Sequence, residues 1–425
     1  MAALKIIYDN PTALVANPRN SRLHTDDQID KLAESIKAVG FNKPVVVGQG
    51  NVIYAGHGAT LAAIKLGLKS IPTVSIAHLS EAQQRAFMIA DNQLGELSAF
   101  DPDVLAIELE ELIALDEFEI TATGFEMPKV DVLIEQRHKP KADPADQPIN
   151  PNHVGKDARL GDLWLCGRHR LFCGSALDRE SYLALLNGEL AQMIITDCPY
   201  NVRIEGHVSG QDNAREFVMA SGEMSPEQFT AFLRTSFEHM IANSVDGSIH
   251  FIFMDFRHLL ELLTAGSVYT EFKNLCCWVK SGGGGMGSLY RSQHELIAVF
   301  KAGKAKHINN IQLGKHGRSR TNVWMAPGLN SFQKGRAEKL AMHPTVKPVG
   351  LIADAILDCS KRGGLVLDPF GGSGTAMIAA ERTGRRAALI ELDPHYVNVA
   401  LRRFCDVTGI EPVNAATGAV VRRRK

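Results

Sequence analysis

VLDPFGGSGT, at residues 366–375, joins an apolar strand to a glycine-rich turn that opens a helix. Glycines in such a turn let the backbone bend sharply and approach a ligand closely. In open α/β sheets, ligands bind in the crevice beyond the carboxyl ends of the strands. The next strand, RAALIELD at 386–393, places Glu391 where an acid can bond ribose hydroxyls. The spacing differs from the dinucleotide fingerprint and lacks the lysine of a P-loop, so another ribose-bearing cofactor is indicated.

A second motif, TDCPYN at residues 196–201, ends another apolar strand. Asp197 can accept a hydrogen bond from an amino group, and the rigid ring of Pro199 fixes the turn. Tyr200 offers a face on which a flipped base can stack. These residue types suit a site that holds an amino nitrogen in line with a methyl donor. Cys198 is interpreted as a small turn residue, because the cysteine of carbon methylation follows a proline instead of preceding one.

Further apolar strands are predicted at 191–200, 248–255, 274–280 and 386–393, with helical segments between them. Strands that alternate with helices predict a parallel, doubly wound sheet, so the fold class is α/β. LWLCGRHRLFCG indicates two strands around a turn. Cys166 and Cys173 lie seven residues apart there without a second pair, so no metal site is predicted.

Composition gives broad limits for this chain of 425 residues. A hydrophobic fraction of 45% allows a sizeable core, and no apolar run is long enough to span a membrane. Seven scattered cysteines and the absence of a secretory pattern at the N-terminus favour a reducing cytoplasm. The net charge of −1 neither favours nor excludes nucleic acid, so local patches must decide.

The chain divides into two predicted α/β domains. Residues 1–136 contain short strands and helices, among them a hairpin (44–47 and 51–56), helices at 26–39 and 59–66, and a helix at 80–94 capped by Ser80. Residues 137–158 are polar and rich in proline, which is typical of a linker. Residues 159–425 form the second domain, which holds both motifs.

TDCPY and LDPFGGSGT together resemble the Asp-Pro-Pro-Tyr and Phe-x-Gly-x-Gly signatures of the DNA amino-methyltransferases. The catalytic motif precedes the cofactor motif, as in the permuted beta group, and HPTVKP (343–348) and RHRLFCGSAL (168–177) resemble two further segments of that family. The resemblance spans about residues 159–409 and implies a fold that binds S-adenosylmethionine. It implies a catalytic set of Asp197, Pro199 and Tyr200, and a cofactor set of Asp368, Phe370, Gly372, Gly374, Glu391, Thr345 and Lys347.

A basic, glycine-rich stretch runs from Lys280 to Lys347, and about 280–342 resembles the target-recognition region of the family. Basic side chains neutralise phosphates, so this region predicts double-stranded DNA as the partner. A homodimer is left open. The residues expected to contact DNA are Lys301, Lys304, Lys306, Lys315, Arg318 and Arg320.

The N-terminal segments NPRN, AESIKAVGF, IYAGHGATLAAIKLG and IPTVSI resemble a ParB-like domain over about residues 10–95. The turn at Gly56-His57-Gly58 precedes a helix whose N-terminus could bind an anion. Ala59 stands where relatives carry an arginine, so nucleotide hydrolysis is not expected. His57 is interpreted as a turn histidine with a structural bond.

The sequence therefore predicts a site-specific DNA methyltransferase of the restriction-modification type that flips out an adenine and methylates its amino group. Cytosine-N4 methylation is one alternative. A catalytically weak ParB-like DNA-binding protein is a second, and methylation of RNA or protein is a third.

Overall fold

The computed structural model describes residues 4–115, 117, 119–138, 143–147, 149, 153–202, 219–281, 289–314, 318, 320–328 and 346–423. The chain forms two compact units, Met1–His138 and Lys139–Lys425. The division lies two residues beyond the boundary predicted at 136. Among the helices of these described residues, none is long and apolar enough to cross a bilayer.

The N-terminal unit contains a four-stranded sheet in the order β1-β4-β2-β3. Strands β2 and β3 form the hairpin predicted from sequence, with Val46 opposite Ala55. β4 runs parallel to β2 and antiparallel to β1. The strands are β1 (Ile6–Asp9), β2 (Val45–Val47), β3 (Ile53–Ala55) and β4 (Ile71–Ser75).

The helices of this unit begin where the sequence places capping residues. Thr25 accepts a hydrogen bond from the Gln28 amide, and Ser80 forms a capping box with Gln83. The predicted helices at 26–39 and 80–94 are thereby confirmed. The helices are α1 (Asp26–Val39), α2 (His57–Lys65), α3 (Glu81–Glu96), α4 (Pro102–Leu115) and α5 (Met127–His138).

The C-terminal unit is built on a ten-stranded sheet in the order β11-β9-β10-β8-β7-β12-β13-β6-β5-β14. Its five central strands, from β8 to β6, are parallel, whereas β10 and β5 pair antiparallel to their neighbours in that core. The strands are β5 (Leu163–Cys166), β6 (His169–Cys173), β7 (Ala191–Asp197), β8 (Ser244–Met254), β9 (Glu271–Ser281), β10 (His294–Lys301), β11 (Val323–Pro327), β12 (Leu365–Asp368), β13 (Arg386–Glu391) and β14 (Val413–Asn414).

Helices cover both faces of this sheet, which confirms the doubly wound α/β class. Successive strand residues point to opposite faces, so Met193 packs in one buried cluster and Ile194 in the other. The first cluster contains α9, α10 and α11, and the second contains α6, α7 and α8. The helices are α6 (Arg179–Leu186), α7 (Pro226–Ala242), α8 (Leu259–Ala265), α9 (Val349–Cys359), α10 (Thr375–Arg382) and α11 (Pro394–Thr408).

The basic stretch from Lys280 to Lys347 is not a single recognition insert. Its strand β10 lies inside the sheet between β9 and β8, and Ile297 and Phe300 on it are buried. Strand β11 adds an edge parallel to β9. The expected target-recognition region therefore contributes two strands to the catalytic scaffold.

The segment expected to be a linker packs in part against the C-terminal unit. Ala145 is buried, and its carbonyl accepts hydrogen bonds from the buried Arg403 guanidinium at 3.1 and 3.3 Å. Asp143 pairs with Arg382, and Asp146 accepts the Val349 amide at 2.9 Å. Residues 143–146 are thus held by helices α9, α10 and α11 of that unit.

Candidate active site

The glycine turn after β12 has the conformation that the sequence indicates. Gly372 and Gly374 have φ angles of 50° and 78°, in the left-handed region that favours glycine. A Cβ atom at Gly374 would lie 2.9 Å from the Ala400 Cβ of α11. The turn therefore needs glycine at 374 for both conformation and space, and α10 begins directly after it.

Glu391 lies at the end of β13, beside that turn. One of its oxygens accepts the Gly372 amide and the other accepts the Asp393 amide, both at 2.8 Å. Burial raises the pKa of Glu391 to about 7, although these two amide bonds oppose the shift. Each carboxylate oxygen retains a lone pair for a ligand hydroxyl.

Asp368 ends β12 and is buried between β7 and β13. It accepts hydrogen bonds from the Thr196 hydroxyl at 2.7 Å and from the Phe370 amide at 3.2 Å. Burial raises the pKa of Asp368 to about 7. Two acids with raised pKa values therefore lie at the same edge of the sheet, where a cationic ligand would favour their ionised forms.

The motif at 196–201 lies at the carboxyl end of β7. The Tyr200 hydroxyl donates to Asp197 Oδ1 at 2.5 Å. The turn is anchored by Asn201, which has a φ of 52°, donates to the Met224 carbonyl and accepts the Gly222 and Met224 amides. These contacts fix the carboxylate and the phenol beside each other.

Cys198 is unsuited to act as a nucleophile. Its thiol is buried and contacts the Phe253 carbonyl at 3.5 Å. Burial and the neighbouring Asp197 carboxylate raise the thiol pKa, which disfavours the reactive thiolate. This geometry agrees with the interpretation of Cys198 as a turn residue.

Lys347 lies beside Asp197. Its ammonium is 2.6 Å from Asp197 Oδ2, 3.2 Å from the Tyr200 hydroxyl and 3.0 Å from Glu295 Oε2. Burial by itself would lower the pKa of Lys347, but the carboxylates of Asp197 and Glu295 raise it. The resemblance placed this lysine near the methionine end of a cofactor, whereas the structure joins it to the catalytic motif.

Glu295 and Lys280 are functional candidates that the sequence did not identify. Glu295, on β10, accepts from Lys280 at 2.7 Å and lies 2.9 Å from the Tyr200 hydroxyl. Burial would raise the pKa of Glu295, but the ammonium groups of Lys347 and Lys280 outweigh burial and lower it to about 2. The one available indication was an acid within the otherwise apolar run HELIAVF.

A continuous cavity connects the two motifs. It extends from Glu391 and the glycine turn to Asp197, so a ligand on the turn and a second ligand at the motif would meet inside it. Its lining includes Gly174, Ser175, Asp197, Pro199, Tyr200, Lys347, Asp368, Phe370, Gly372 and Glu391. Thr345, also expected near a cofactor, lies outside the described residues.

Two arginines expected to contact DNA are instead structural. Arg318 is 6% exposed and pairs with Asp358 at 2.9 Å and Asp354 at 3.3 Å on α9. Arg320 pairs with the same two acids and lies over the Trp324 ring at 5.0 Å. Removing a buried charge from its partners is costly, so these guanidinium groups are not available to phosphates. The DNA-binding assignment of Arg318 and Arg320 was wrong.

The lysines expected to contact DNA lie away from the catalytic motif. Lys301 pairs with Ile249 near the start of β8, whereas Asp197 pairs with Phe253 near its end. The amide of Lys304 bonds Asp246, also at the start of β8. Lys301, Lys304 and Lys306 therefore follow the edge of the sheet opposite the site. Lys315 is outside the described residues.

In the N-terminal unit, His57 accepts a hydrogen bond from the Asn17 amide at 3.3 Å through Nε2. Burial lowers the pKa of His57, with a smaller contribution from His24. Its ring therefore acts as a neutral acceptor that ties the segment at Asn17 to the start of α2.

Comparison with known proteins identifies two regions of the chain. Residues 191–402 match the N6/N4 family of DNA methylases, and residues 103–155 match the helix-turn-helix domain of ParB-methyltransferases. The second match contains α4 and α5 and extends through most of the expected linker. The sequence analysis did not recognise this helical pair as a domain of its own.

Individual relatives agree with this division. The type II methyltransferase M2.DpnII of Streptococcus pneumoniae is 28% identical over 53% of this chain and 87% of its own length. M2.MboI of Moraxella bovis is 31% identical over 28% of this chain, and the match spans 43% of that enzyme. The ParB-like nuclease domain-containing protein YnaK of Escherichia coli is 35% identical over 19% of this chain and 94% of its own.

Among solved structures, a DNA modification methylase of Thermus thermophilus in complex with S-adenosylmethionine aligns over 56% of this chain and 93% of its own. The identity is 21% and the TM-score is 0.39.

Proposed function

The chain carries a domain of the N6/N4 DNA methylase family joined to a ParB-like unit, and on that premise we propose that it is a site-specific DNA methyltransferase acting on the amino group of adenine. The observation that carries the proposal is the cavity shared by the glycine turn, Glu391 and Asp197. The methyl donor is S-adenosylmethionine, and the acceptor is a base flipped out of double-stranded DNA.

The chemistry of S-adenosylmethionine fits the glycine-turn end of the cavity. Glu391 has acceptor capacity for ribose hydroxyls, and Asp368 and Glu391 offer negative charge to a cationic ligand. The bound cofactor supplies a methyl group activated by a sulfonium. We assign five residues to its binding: Asp368, Phe370, Gly372, Gly374 and Glu391.

The other end of the cavity receives the base. Asp197 accepts a hydrogen bond from the amino group, and the turn at Pro199 holds the neighbouring backbone in place. Lys347 lies 5.4 Å from the centre of the Tyr200 ring, so the base stacks on the opposite face of that ring. Flipping costs about a few kcal/mol, which contacts in the cavity offset.

The residues act mainly through orientation and charge. The amino nitrogen attacks the methyl carbon directly as the carbon–sulfur bond breaks, and Asp197 accepts the proton that the nitrogen loses. Burial raises the pKa of Asp197, as does the neighbouring Glu295, which makes it a better proton acceptor than an exposed carboxylate. Correct orientation of the reactants can contribute roughly 7–11 kcal/mol to lowering the barrier.

Adenine is proposed over cytosine because Asp197 holds the first position of the motif. In the family that the motif resembles, aspartate there accompanies adenine more often, and serine accompanies cytosine. The ParB-like unit adds affinity for DNA or contacts a partner, and it does not set the methylated sequence. The protein acts in the cytoplasm.

The test is to express the full chain in cells that lack DNA methylation and to sequence their DNA for modified bases. We expect N6-methyladenine at one short motif. Asp197→Ala should lower methylation at least ~100-fold while the purified protein still binds S-adenosylmethionine, because the loss is in the chemical step.

Cys198→Ser is the matched control from the same turn, and it should retain most of the activity because the thiol has no covalent role. N4-methylcytosine in the DNA would contradict the choice of base. Unmodified DNA from cells with abundant folded protein would refute the proposed activity.

A further inference from the structure

Glu295 is a buried carboxylate that the mechanism above does not use. It lies on β10, opposite the end of β8, and its side chain is 12% exposed. One oxygen pairs with Lys280 at 2.7 Å, and the other pairs with Lys347 at 3.0 Å. Buried carboxylates are costly unless paired, so this arrangement calls for a reason at this position.

Lys347 connects Glu295 to the catalytic motif. Its ammonium is shared between Asp197 Oδ2 at 2.6 Å and Glu295 Oε2 at 3.0 Å. The Tyr200 hydroxyl closes a ring, since it lies 2.5 Å from Asp197 and 2.9 Å from Glu295. A lysine that served Asp197 alone would neutralise it more completely and weaken it as an acceptor.

We propose that Glu295 is a positioning residue for methyl transfer: by sharing Lys347 and Tyr200 with Asp197, it fixes the Asp197 carboxylate and preserves its basicity. This inference rests on the proposed function, because it assigns Asp197 the acceptor role. Glu295 need not touch the base or the cofactor.

The charges around Asp197 give this proposal a sign. Lys347 and Tyr200 contact Asp197 directly, Glu295 faces it across them, Cys198 follows it in the chain, and Asp368 lies at the end of neighbouring β12. Burial raises the pKa of Asp197, Lys347 opposes that shift, and Glu295 adds to it. Removing the charge of Glu295 should therefore lower the pKa of Asp197.

Lys280 provides a variant with the opposite effect. It pairs with Glu295 and lies beyond Asp197's direct contacts. Without Lys280, Glu295 interacts more strongly with Lys347, which then neutralises Asp197 less. The pKa of Asp197 should rise in Lys280→Gln, whereas it should fall in Glu295→Gln. A role limited to packing gives no reason for opposite shifts.

The experiment measures kcat for DNA methylation against pH, at saturating DNA and S-adenosylmethionine, for the full-length wild type, Glu295→Gln and Lys280→Gln. Activity is lost on the acid side as Asp197 is protonated. The acid limb should move down by about one pH unit in Glu295→Gln and up in Lys280→Gln. Glu295→Gln should also lose roughly tenfold in kcat, in line with a one-unit change in basicity.

Glu271→Gln is the control, because Glu271 is exposed on β9 and pairs with Lys273 away from the site. Its profile and kcat should match the wild type, and calorimetry should give the same S-adenosylmethionine affinity for all variants. An active wild type with acid limbs that do not move in opposite directions overturns the role of Glu295 and leaves the proposed function standing. A folded wild type that methylates no DNA overturns both. If Glu295→Gln fails to fold, an acid limb in Lys280→Gln that stays in place or moves down is sufficient to overturn the role.

Discussion

At the scale of single residues, burial determines the charge of the acids in the cavity. Asp368 and Glu391 have pKa values raised to about 7 by burial, so the free protein holds protons on them near neutral pH. A cationic ligand binds the ionised forms more tightly and must displace these protons.

Affinity for S-adenosylmethionine should therefore rise from about pH 6 to pH 8, by up to tenfold per pH unit for each acid that must ionise. Below pH 7 the acids are protonated and lose the charge that attracts the ligand. Calorimetry in buffers of different ionisation enthalpy would measure both the affinity and the protons released. Glu391→Gln should bind more weakly and with a shallower pH dependence. An affinity that stays constant across this range would show that neither acid contacts the cofactor.

At the scale of elements, the two edges of the large sheet differ. Asp197, Asp368 and Glu391 end three neighbouring parallel strands at the carboxyl edge. Directly beyond β8 at that edge, Phe256 is 49% exposed and carries Arg257 over its ring at 5.1 Å. A base that enters the cavity brings its phosphates to this edge.

We expect Arg257→Ala to weaken DNA binding and to reduce the slope of log affinity against log salt by about 1, the value for one lost phosphate contact. Lys304→Ala removes an exposed charge from the opposite edge and should change neither quantity. Fluorescence anisotropy with a labelled duplex at several salt concentrations would compare them. A larger effect from Lys304 would restore the role that the sequence first indicated for the lysines.

At the scale of the whole molecule, the junction between the two units belongs partly to the C-terminal one. Asp143, Ala145 and Asp146 bind Arg382, Arg403 and the start of α9. Arg403 also bonds Ser373 and Thr375, on either side of Gly374 in the glycine turn. The junction therefore supports the cofactor end of the cavity from behind.

A chain of residues 139–425 should methylate the same sequence as the full chain, with a shallower salt dependence. A chain of residues 150–425 should unfold at a temperature lower by about 5 °C, because buried Arg403 loses a partner, at a cost of roughly 2 kcal/mol. Calorimetric scans of both would measure the difference. Equal stability would show that the junction adds nothing, and a changed target sequence would assign recognition to the ParB-like unit.

The sequence by itself determined the local features. Asp26–Val39 begins and ends at its capping residues, and the glycine turn takes left-handed backbone at 372 and 374, because such choices depend on neighbours in the chain. It also determined the order of the parallel strands' motifs, since apolar runs ending in Asp197, Asp368 and Glu391 must meet at one edge of a wound sheet.

Only the tertiary structure decided which charges are exposed and which are buried. Lys347 and Glu295 lie 52 residues apart in sequence yet share Asp197's surroundings, and Arg318 is buried against α9 despite lying in a basic stretch. A basic residue has the same composition whether it meets phosphate or a buried carboxylate. The choice depends on strand order and register, which bring distant segments together, and local periodicity does not contain that information.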